Sequence, residues 1–290
     1  MKILVSTDSS CLINNEMLKK YGINVFPLNV IIDGEEYLDG VTINQDQLCE
    51  AMRGKKNIKT STPAYGTIID YFDELFAKGY EHIIHFTISS KLSSMYSLFE
   101  TIAKENYPGK LTVIDSYSVS ALMLSHVLYA YDEVNNGTSI MDIVNNVEKR
   151  KYDYKVYFIP ENLNALKNGG RISPAIAAIG NTIGIKPVIV LQDGGLEKYK
   201  MIKNIKLTLT DQSEEVIKDY KPENYDYTLV QFDCKPSTYE YVFEKVSNAI
   251  GKDNVVEGMV PVNVCAHCGP GTIGLLVTPK INGKSIKQFM

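Results

Sequence analysis

Two clusters of hydroxyl side chains in this 290-residue chain could hold an anion. One is Thr60-Ser61-Thr62-Pro63, directly before a predicted helix, and the other is the serine-rich segment 89–94, which follows a predicted strand. Hydroxyl groups cap helix N-termini, and the free backbone amides there attract anions. The first cluster therefore predicts helix capping, with or without a bound anion. The second predicts either a capping loop or an anion site that uses Ser93.

Two further polar residues lie beside glycines. His267 precedes the segment Cys-Gly-Pro-Gly, where the backbone can approach a ligand closely, and its imidazole could donate to a carboxylate and titrate near physiological pH. Arg171 follows glycines 169–170, which are predicted to end a helix by supplying its left-handed position, and precedes a helix predicted at 174–184. A guanidinium held between two helix ends suits a carboxylate or a phosphate. A structural role is the alternative for both residues.

The pattern around these residues is that of an α/β protein. Apolar runs that pass into short polar turns predict buried strands, and they alternate with helical stretches, as in a parallel sheet. Asp8 and Asp115 stand at the ends of two such runs and are predicted to be helix N-caps. Ligands of parallel sheets bind beyond the carboxyl ends of the strands, so these turns mark the expected functional edge. The strands are predicted at 2–5, 82–88, 111–114 and 228–232.

Two Asp-Gly pairs between strand-like runs predict β-hairpins at 25–41 and 186–202. No Pro/Gly/Ser-rich segment indicates a flexible linker. We therefore expect two packed α/β domains. Residues 1–158 should contain a parallel, Rossmann-like sheet, and residues 159–290 a second α/β domain.

Composition excludes several classes of function. The net charge is −4, from 34 acidic and 30 basic residues, and no basic run interleaves with aromatics, so nucleic acid is not an expected partner. No apolar stretch has the length of a membrane span or a secretory signal, and we expect a cytoplasmic protein. Five cysteines argue against a disulfide framework, and the Cys265/Cys268 pair lacks further ligands at zinc-site spacing, so we expect no metal.

Taken together, the motifs resemble the DegV family, the bacterial fatty-acid-binding subunits of fatty acid kinase. The resemblance spans nearly the whole chain. It implies two α/β domains with the acyl chain of a long-chain fatty acid buried between or within them, and a C-terminal lipid-binding domain. Segment 174–191 is then either a buried helix and strand or a wall of the acyl tunnel. The matching segments are TDSS at 7–10, FPL at 26–28, YLDGV at 37–41, TSTP at 60–63, SSKLSS at 89–94, VIDS at 113–116, NGGRIS at 168–173, IKP at 185–187 and HCGPG at 267–271.

The resemblance also implies residue roles. Arg171 and Lys203 would belong to the surface at which a partner kinase phosphorylates the bound acyl group, and the acyl phosphate would enter phospholipid synthesis. The chain would be a binding subunit and not an enzyme, with no cofactor besides the bound lipid, and transient membrane contact remains an option. The resemblance implies that Thr62, Ser93 and His267, with Ser61, hold the carboxylate, and we expect the neighbouring Ser94 to belong to the same site.

Three residues depart from the family pattern. Ser94 and Met95 replace Gly and Thr, which makes the loop bulkier, and Lys203 replaces an arginine, which keeps the charge but loses the planar fork. Two other functions remain alternatives. A lipid hydrolase would use Ser93 as nucleophile and His267 as base but lacks a G-x-S-x-G motif. A nucleotide-binding module would use the hydroxyl-rich loops but lacks a Walker or G-x-G-x-x-G motif.

Overall fold

The computed structural model describes residues 1–161, 163–172 and 185–290, and only the backbone of residues 207 and 210. The helix predicted at 174–184, and with it most of the predicted tunnel wall, lies outside the described residues. None of the described helices is long and apolar enough to cross a membrane.

The described strands form three sheets. They are β1 (Ile3–Asp8), β2 (Asn24–Phe26), β3 (Asn29–Ile32), β4 (Glu35–Leu38), β5 (Ile58–Ser61), β6 (His82–Thr87), β7 (Leu111–Asp115), β8 (Lys155–Ile159), β9 (Lys186–Gln192), β10 (Gly195–Ile202), β11 (Tyr225–Phe232), β12 (Val255–Met259) and β13 (Thr272–Pro279).

The described helices pack against these sheets. They are α1 (Asn15–Tyr21), α2 (Gln45–Arg53), α3 (Tyr65–Ala77), α4 (Met95–Asn106), α5 (Ala121–Asn135), α6 (Ile140–Arg150), α7 (Asn164–Asn168), α8 (Ile205–Val216), α9 (Pro236–Ile250) and α10 (Val262–Cys268), with 3₁₀ turns at Lys252–Asn254 and Ile286–Gln288.

The first sheet is parallel throughout, in the order β2-β1-β6-β7. Every residue of the central strand β6 is buried, because helices cover both faces of such a sheet. The second sheet has the order β10-β9-β8-β13-β11-β12 and is mixed, since only the β11–β12 pair is parallel. The predicted α/β fold with a parallel N-terminal sheet is therefore confirmed.

Both predicted hairpins occur, as β3–β4 and β9–β10. Each turns at an Asp-Gly pair in which both residues have positive φ, 53° and 94° at Asp33-Gly34 and 48° and 78° at Asp193-Gly194. These are the φ signs of a type I′ turn, which suits the twist of a hairpin. In the first hairpin, β5 pairs antiparallel with β3 and completes a third, three-stranded sheet.

The predicted division at residue 158 falls inside β8, which pairs with β13 of the second sheet. The last residues of the chain return to the first sheet, because Ile281, Ile286 and Phe289 share a hydrophobic cluster with Val5 of β1. The division into two domains stays a prediction.

The aspartates at the ends of β1 and β7 do not cap helices, and that prediction was wrong. Asp8 accepts hydrogen bonds from the backbone amides of Ser10 and Ile88, at 2.8 and 2.7 Å, and Asp115 accepts one from the amide of Ser90 at 3.1 Å. A carboxylate at a strand end satisfies whichever amides lie nearest, and here they belong to loops at the same sheet edge. The two side chains therefore tie the ends of β1 and β7 to the loop that follows β6.

Candidate functional site

A cavity with about 1170 Å³ of empty space, part of it open to solvent, lies where the three sheets meet. Residues two apart on β8, Val156 and Phe158, line it, as expected when alternate side chains of a strand share one face. Leu196, Val230 and Leu276 extend this apolar wall on β10, β11 and β13. The cavity is thus largely apolar.

The predicted hydroxyl residues meet on one side of this cavity. Ser61, Thr62, Ser93 and Ser94 all line it, and the hydroxyl oxygens of Thr62 and Ser94 lie 3.3 Å apart. Ser93 Oγ accepts a hydrogen bond from the backbone amide of Met95 at 3.3 Å, which fixes its position at the start of α4. The fold therefore joins two hydroxyl clusters that are about thirty residues apart in the sequence.

The hydroxyl groups of Thr60, Ser61 and Thr62 do not cap helix α3, and that prediction was wrong. Helix α3 begins after Ala64, which makes no side-chain capping bond. Thr60 and Ser61 belong to β5 and pair with β3. The residue before a proline is also held in extended conformations, so the strand-like path continues through Thr62. The side chains remain available to the cavity.

His267 lies in the last turn of α10 and lines the cavity. Its Nε2 is 2.9 Å from the hydroxyl oxygen of Thr60, and its buried Nδ1 has no hydrogen-bond partner among the described residues. Burial, and to a smaller extent the positive charge of Arg171, lowers the pKa of His267 to about 4. The expectation that it titrates near physiological pH was therefore wrong, and the ring is neutral at pH 7.

The two glycines before Arg171 serve different purposes. Gly170 has the predicted left-handed conformation, with φ of 69°, whereas Gly169 has φ of −73°. A Cβ atom on Gly169 would lie only 2.3 Å from Nδ1 of His267. Gly169 is therefore needed for the close approach of the imidazole to the end of α7, a function that sequence analysis missed.

Arg171 is the only formally charged residue among the described residues that line the cavity. Its Nε donates to the carbonyl oxygen of Leu92 at 3.1 Å, and its Nη1 donates to the carbonyl oxygen of Gly169. These bonds hold the guanidinium between the serine-rich loop and the end of α7. Lys203 is exposed and is not among the lining residues, so the structure does not bring it to this site.

A second polar group in the cavity lining was not predicted. Asn263 Nδ2 donates to Ser10 Oγ at 2.9 Å, and the backbone amide of Ser120 donates to the carbonyl oxygen of Ser10 at 2.8 Å. The side-chain oxygens Asn263 Oδ1 and Ser120 Oγ are buried and have no partner among the described residues. No sequence spacing connects these three residues, which lie on three separate segments.

Asp39 supports this group from the hairpin. It accepts hydrogen bonds from Ser9 Oγ and from the backbone amide of Asn263, both at 3.0 Å. Burial raises the pKa of Asp39 to about 6. Because the amide belongs to the first turn of α10, Asp39 caps the helix that carries His267. The segment YLDGV was the only sequence signal for this role.

The geometry does not favour the metal or hydrolase alternatives. Across the described residues, no group of three or more His, Cys, Asp or Glu side chains could hold a metal ion, and Cys265 and Cys268 are buried thiols. The described partner of His267 Nε2 is Thr60 and not Ser93, and none of the described lining residues is an acid that could orient the ring. The site is therefore suited to binding.

The DegV family profile, described as "Uncharacterised protein, DegV family", matches residues 2–280. A DegV domain-containing protein of Staphylococcus aureus (strain N315) is 31% identical over 285 residues, which cover 96% of this chain and 99% of that protein.

Solved structures share the fold. A fatty acid binding DegV family protein from Streptococcus agalactiae has a TM-score of 0.86 at 25% identity, with 97% of this chain and 99% of that chain covered. A stearic acid-binding protein from Eubacterium ventriosum has a TM-score of 0.84 at 24% identity, with the same coverage. The chain belongs to the DegV family, as the motifs indicated.

Proposed function

We propose that the protein binds one long-chain fatty acid, with its acyl chain along the apolar wall of the cavity and its carboxylate at the hydroxyl cluster. The observation that carries the proposal is the composition of the lining, in which a largely apolar wall meets the hydroxyl groups of Ser61, Thr62, Ser93 and Ser94. Among the described lining residues the single formal charge is the positive charge of Arg171. The relative from Streptococcus agalactiae, which binds a fatty acid, supports it.

The apolar wall would supply most of the binding free energy. Burial contributes roughly 0.8 kcal/mol per CH2 group, so a chain of about sixteen carbons gains on the order of 10 kcal/mol before the costs of association. Val156, Phe158 and Leu276 come from neighbouring strands of one sheet, so they form a continuous surface along which an extended chain can lie.

The polar residues would offset the cost of desolvating the carboxylate. An ionised carboxylate in an apolar site needs several donors. The hydroxyls of Thr62, Ser93 and Ser94 can donate to it, with Ser61 beside them, and Arg171 provides the opposite charge. The neutral ring of His267 carries one N–H and adds no charge of its own.

We further propose that the protein presents this carboxylate to a fatty acid kinase catalytic subunit in the cytoplasm. The bond between Thr62 and Ser94 is exposed, whereas Val156, Val230 and Leu276 of the apolar wall are buried, so the carboxyl group would lie at the open end of the cavity. There a kinase could transfer a phosphoryl group to a carboxylate oxygen, and the acyl phosphate would enter phospholipid synthesis. Arg171, with Lys203 on the surface, would contribute positive charge for the partner.

A coupled assay tests this presentation. The lipid-loaded protein is mixed with a fatty acid kinase catalytic subunit, ATP and hydroxylamine, which converts an acyl phosphate to a hydroxamate. We expect hydroxamate only when both proteins are present. Arg171→Ala should lower its yield, and Lys110→Ala, at the amino end of β7 and so at the opposite sheet edge, should not. Equal yields without this protein would contradict the presenting role.

A further inference from the structure

Two buried oxygen atoms in the cavity lining lack the hydrogen bonds that such atoms normally make. Ser120 and Asn263 are only 4% and 5% exposed, and both line the cavity. Neither Ser120 Oγ nor Asn263 Oδ1 has a partner in the part of the chain that the structure describes. By contrast, the hydroxyl of Thr272, which also lines the cavity, donates to the carbonyl oxygens of Cys268 and Gly269. Unpaired buried oxygens in a ligand cavity indicate a missing polar partner.

The position of these atoms places that partner near the carboxyl end of a bound lipid. Asn263 lies four residues before His267 on α10, which corresponds to about 6 Å along the helix axis and the same helix face. If the carboxylate lies beside His267, only the first few carbons of the acyl chain can reach Asn263.

The surrounding charges decide which chemical group fits. Asp39 accepts from the amide of Asn263 itself. Asp8 accepts from the amide of Ser10, a residue that in turn is bonded to both Asn263 and Ser120, so two buried carboxyl groups lie close to the pair. A second carboxylate on the ligand would be repelled and has no proton to donate to Asn263 Oδ1. A hydroxyl is neutral, can donate to Asn263 Oδ1 and can accept from Ser120 Oγ.

We propose that Ser120 and Asn263 form a second ligand subsite, which binds a hydroxyl group on one of the first carbons of the acyl chain. The inference rests on the proposed function, because it takes the carboxylate site as the origin. It extends the ligand class from plain fatty acids to hydroxylated ones, which the protein binds more tightly.

Displacement of a fluorescent fatty acid tests the subsite. The competitors are hexadecanoic acid and the isomers of hydroxyhexadecanoic acid that carry the hydroxyl group on the β, γ, δ, ε or ω carbon. We expect at least one of the β to ε isomers to bind about fivefold more tightly than hexadecanoic acid, from one or two added hydrogen bonds. The ω isomer should show no such gain.

Ser118, two residues before Ser120, provides a matched control. In Ser120→Ala the hydroxylated acids should bind no more tightly than hexadecanoic acid does, because the variant lacks the hydroxyl assigned to the ligand. Ser118→Ala should keep the gain, since Ser118 Oγ is equally buried and unpaired but does not line the cavity. The subsite is excluded if no isomer gains affinity, or if the gain survives in Ser120→Ala. If hexadecanoic acid itself does not displace the probe, the proposed fatty-acid function fails instead.

Discussion

The hydroxyl oxygen of Thr60 lies 2.9 Å from Nε2 of His267, although the two residues are 207 positions apart in the chain. Thr60 belongs to β5 of the three-stranded sheet, and His267 belongs to the last turn of α10. This bond therefore links that sheet to α10 beside the cavity. It fixes the orientation of a neutral imidazole beside Arg171 and the hydroxyl cluster.

Thr60→Val tests this link. The substitution keeps the shape but removes the hydroxyl, so His267 Nε2 loses its partner in a half-buried position. We expect the free energy of unfolding to fall by about 1 kcal/mol and fatty-acid affinity to fall by about three- to tenfold. Chemical denaturation and displacement titration measure the two effects. Thr101→Val, which removes an exposed bond within α4, serves as the control. Unchanged affinity in Thr60→Val would show that the imidazole needs no such support.

Two variants test whether the hydroxyl cluster holds the carboxylate. Thr62→Val and Ser93→Ala each remove a donor that we assign to the carboxylate, and hydrogen bonds to charged groups are worth roughly 1.5–3 kcal/mol. We expect each variant to bind fatty acid about tenfold more weakly in a displacement titration. Ser90→Ala, in the same loop but outside the cavity lining, should bind as the unmodified protein does. If all three variants bind equally well, the carboxylate lies elsewhere.

Gly169→Ala tests the close approach of the imidazole. A Cβ atom at this position would meet His267 Nδ1 at 2.3 Å, so the ring must leave the position in which it contacts Thr60. We expect weaker fatty-acid binding by about tenfold or more and a lower unfolding temperature. Gly66→Ala is the matched control, because a Cβ there has no atom within 4 Å and alanine favours the helix. If Gly169→Ala binds fatty acid as the unmodified protein does, the close approach of the imidazole to residue 169 is not needed for binding.

The burial of His126 leads us to expect that the free energy of unfolding depends on pH. Its two ring nitrogens have no partner among the described residues, and burial, followed by the charges of Arg150 and Lys151, lowers its pKa to about 3. The unfolded chain takes up this proton near pH 6.5 and the folded chain does not, so stability falls as the pH drops below 6.5. Between pH 7.5 and pH 5 the loss from this residue is about 2 kcal/mol.

The variant His126→Leu should lack this loss. Denaturation curves of both proteins at pH 7.5 and pH 5 measure it, and the difference between the proteins should shift by about 2 kcal/mol in favour of the variant at pH 5. If the two proteins differ in free energy of unfolding by the same amount at both pH values, His126 is protonated at pH 5 in the folded protein as well.

Local patterns allowed the sheets to be predicted. Apolar runs ending in polar turns marked β1, β6, β7 and β11, and the Asp-Gly pairs marked both hairpins, because these features depend on residues close in sequence. The capping predictions failed at Asp8 and at Thr60–Thr62 for a related reason. A polar side chain at an element end bonds to the nearest free group, and tertiary structure determines which group that is.

The site was predicted only in part. The serine and threonine motifs and His267 were singled out from their residue types and from the family resemblance, and the fold brings them to one cavity. The neutral state of His267 could not be predicted, because its burial and its distance from Arg171 are properties of the folded chain. The same holds for the contact of Gly169 with the imidazole and for the pairing of Asn263 with Ser10.

The most direct test of the fatty-acid function is mass spectrometry of the lipid extracted from the purified protein. Binding in the apolar cavity predicts a long-chain fatty acid, close to one molecule per chain, and a clearly lower content in Thr62→Val and Ser93→Ala prepared in parallel. A protein that carries no fatty acid, or that carries a nucleotide in its place, would contradict the central claim.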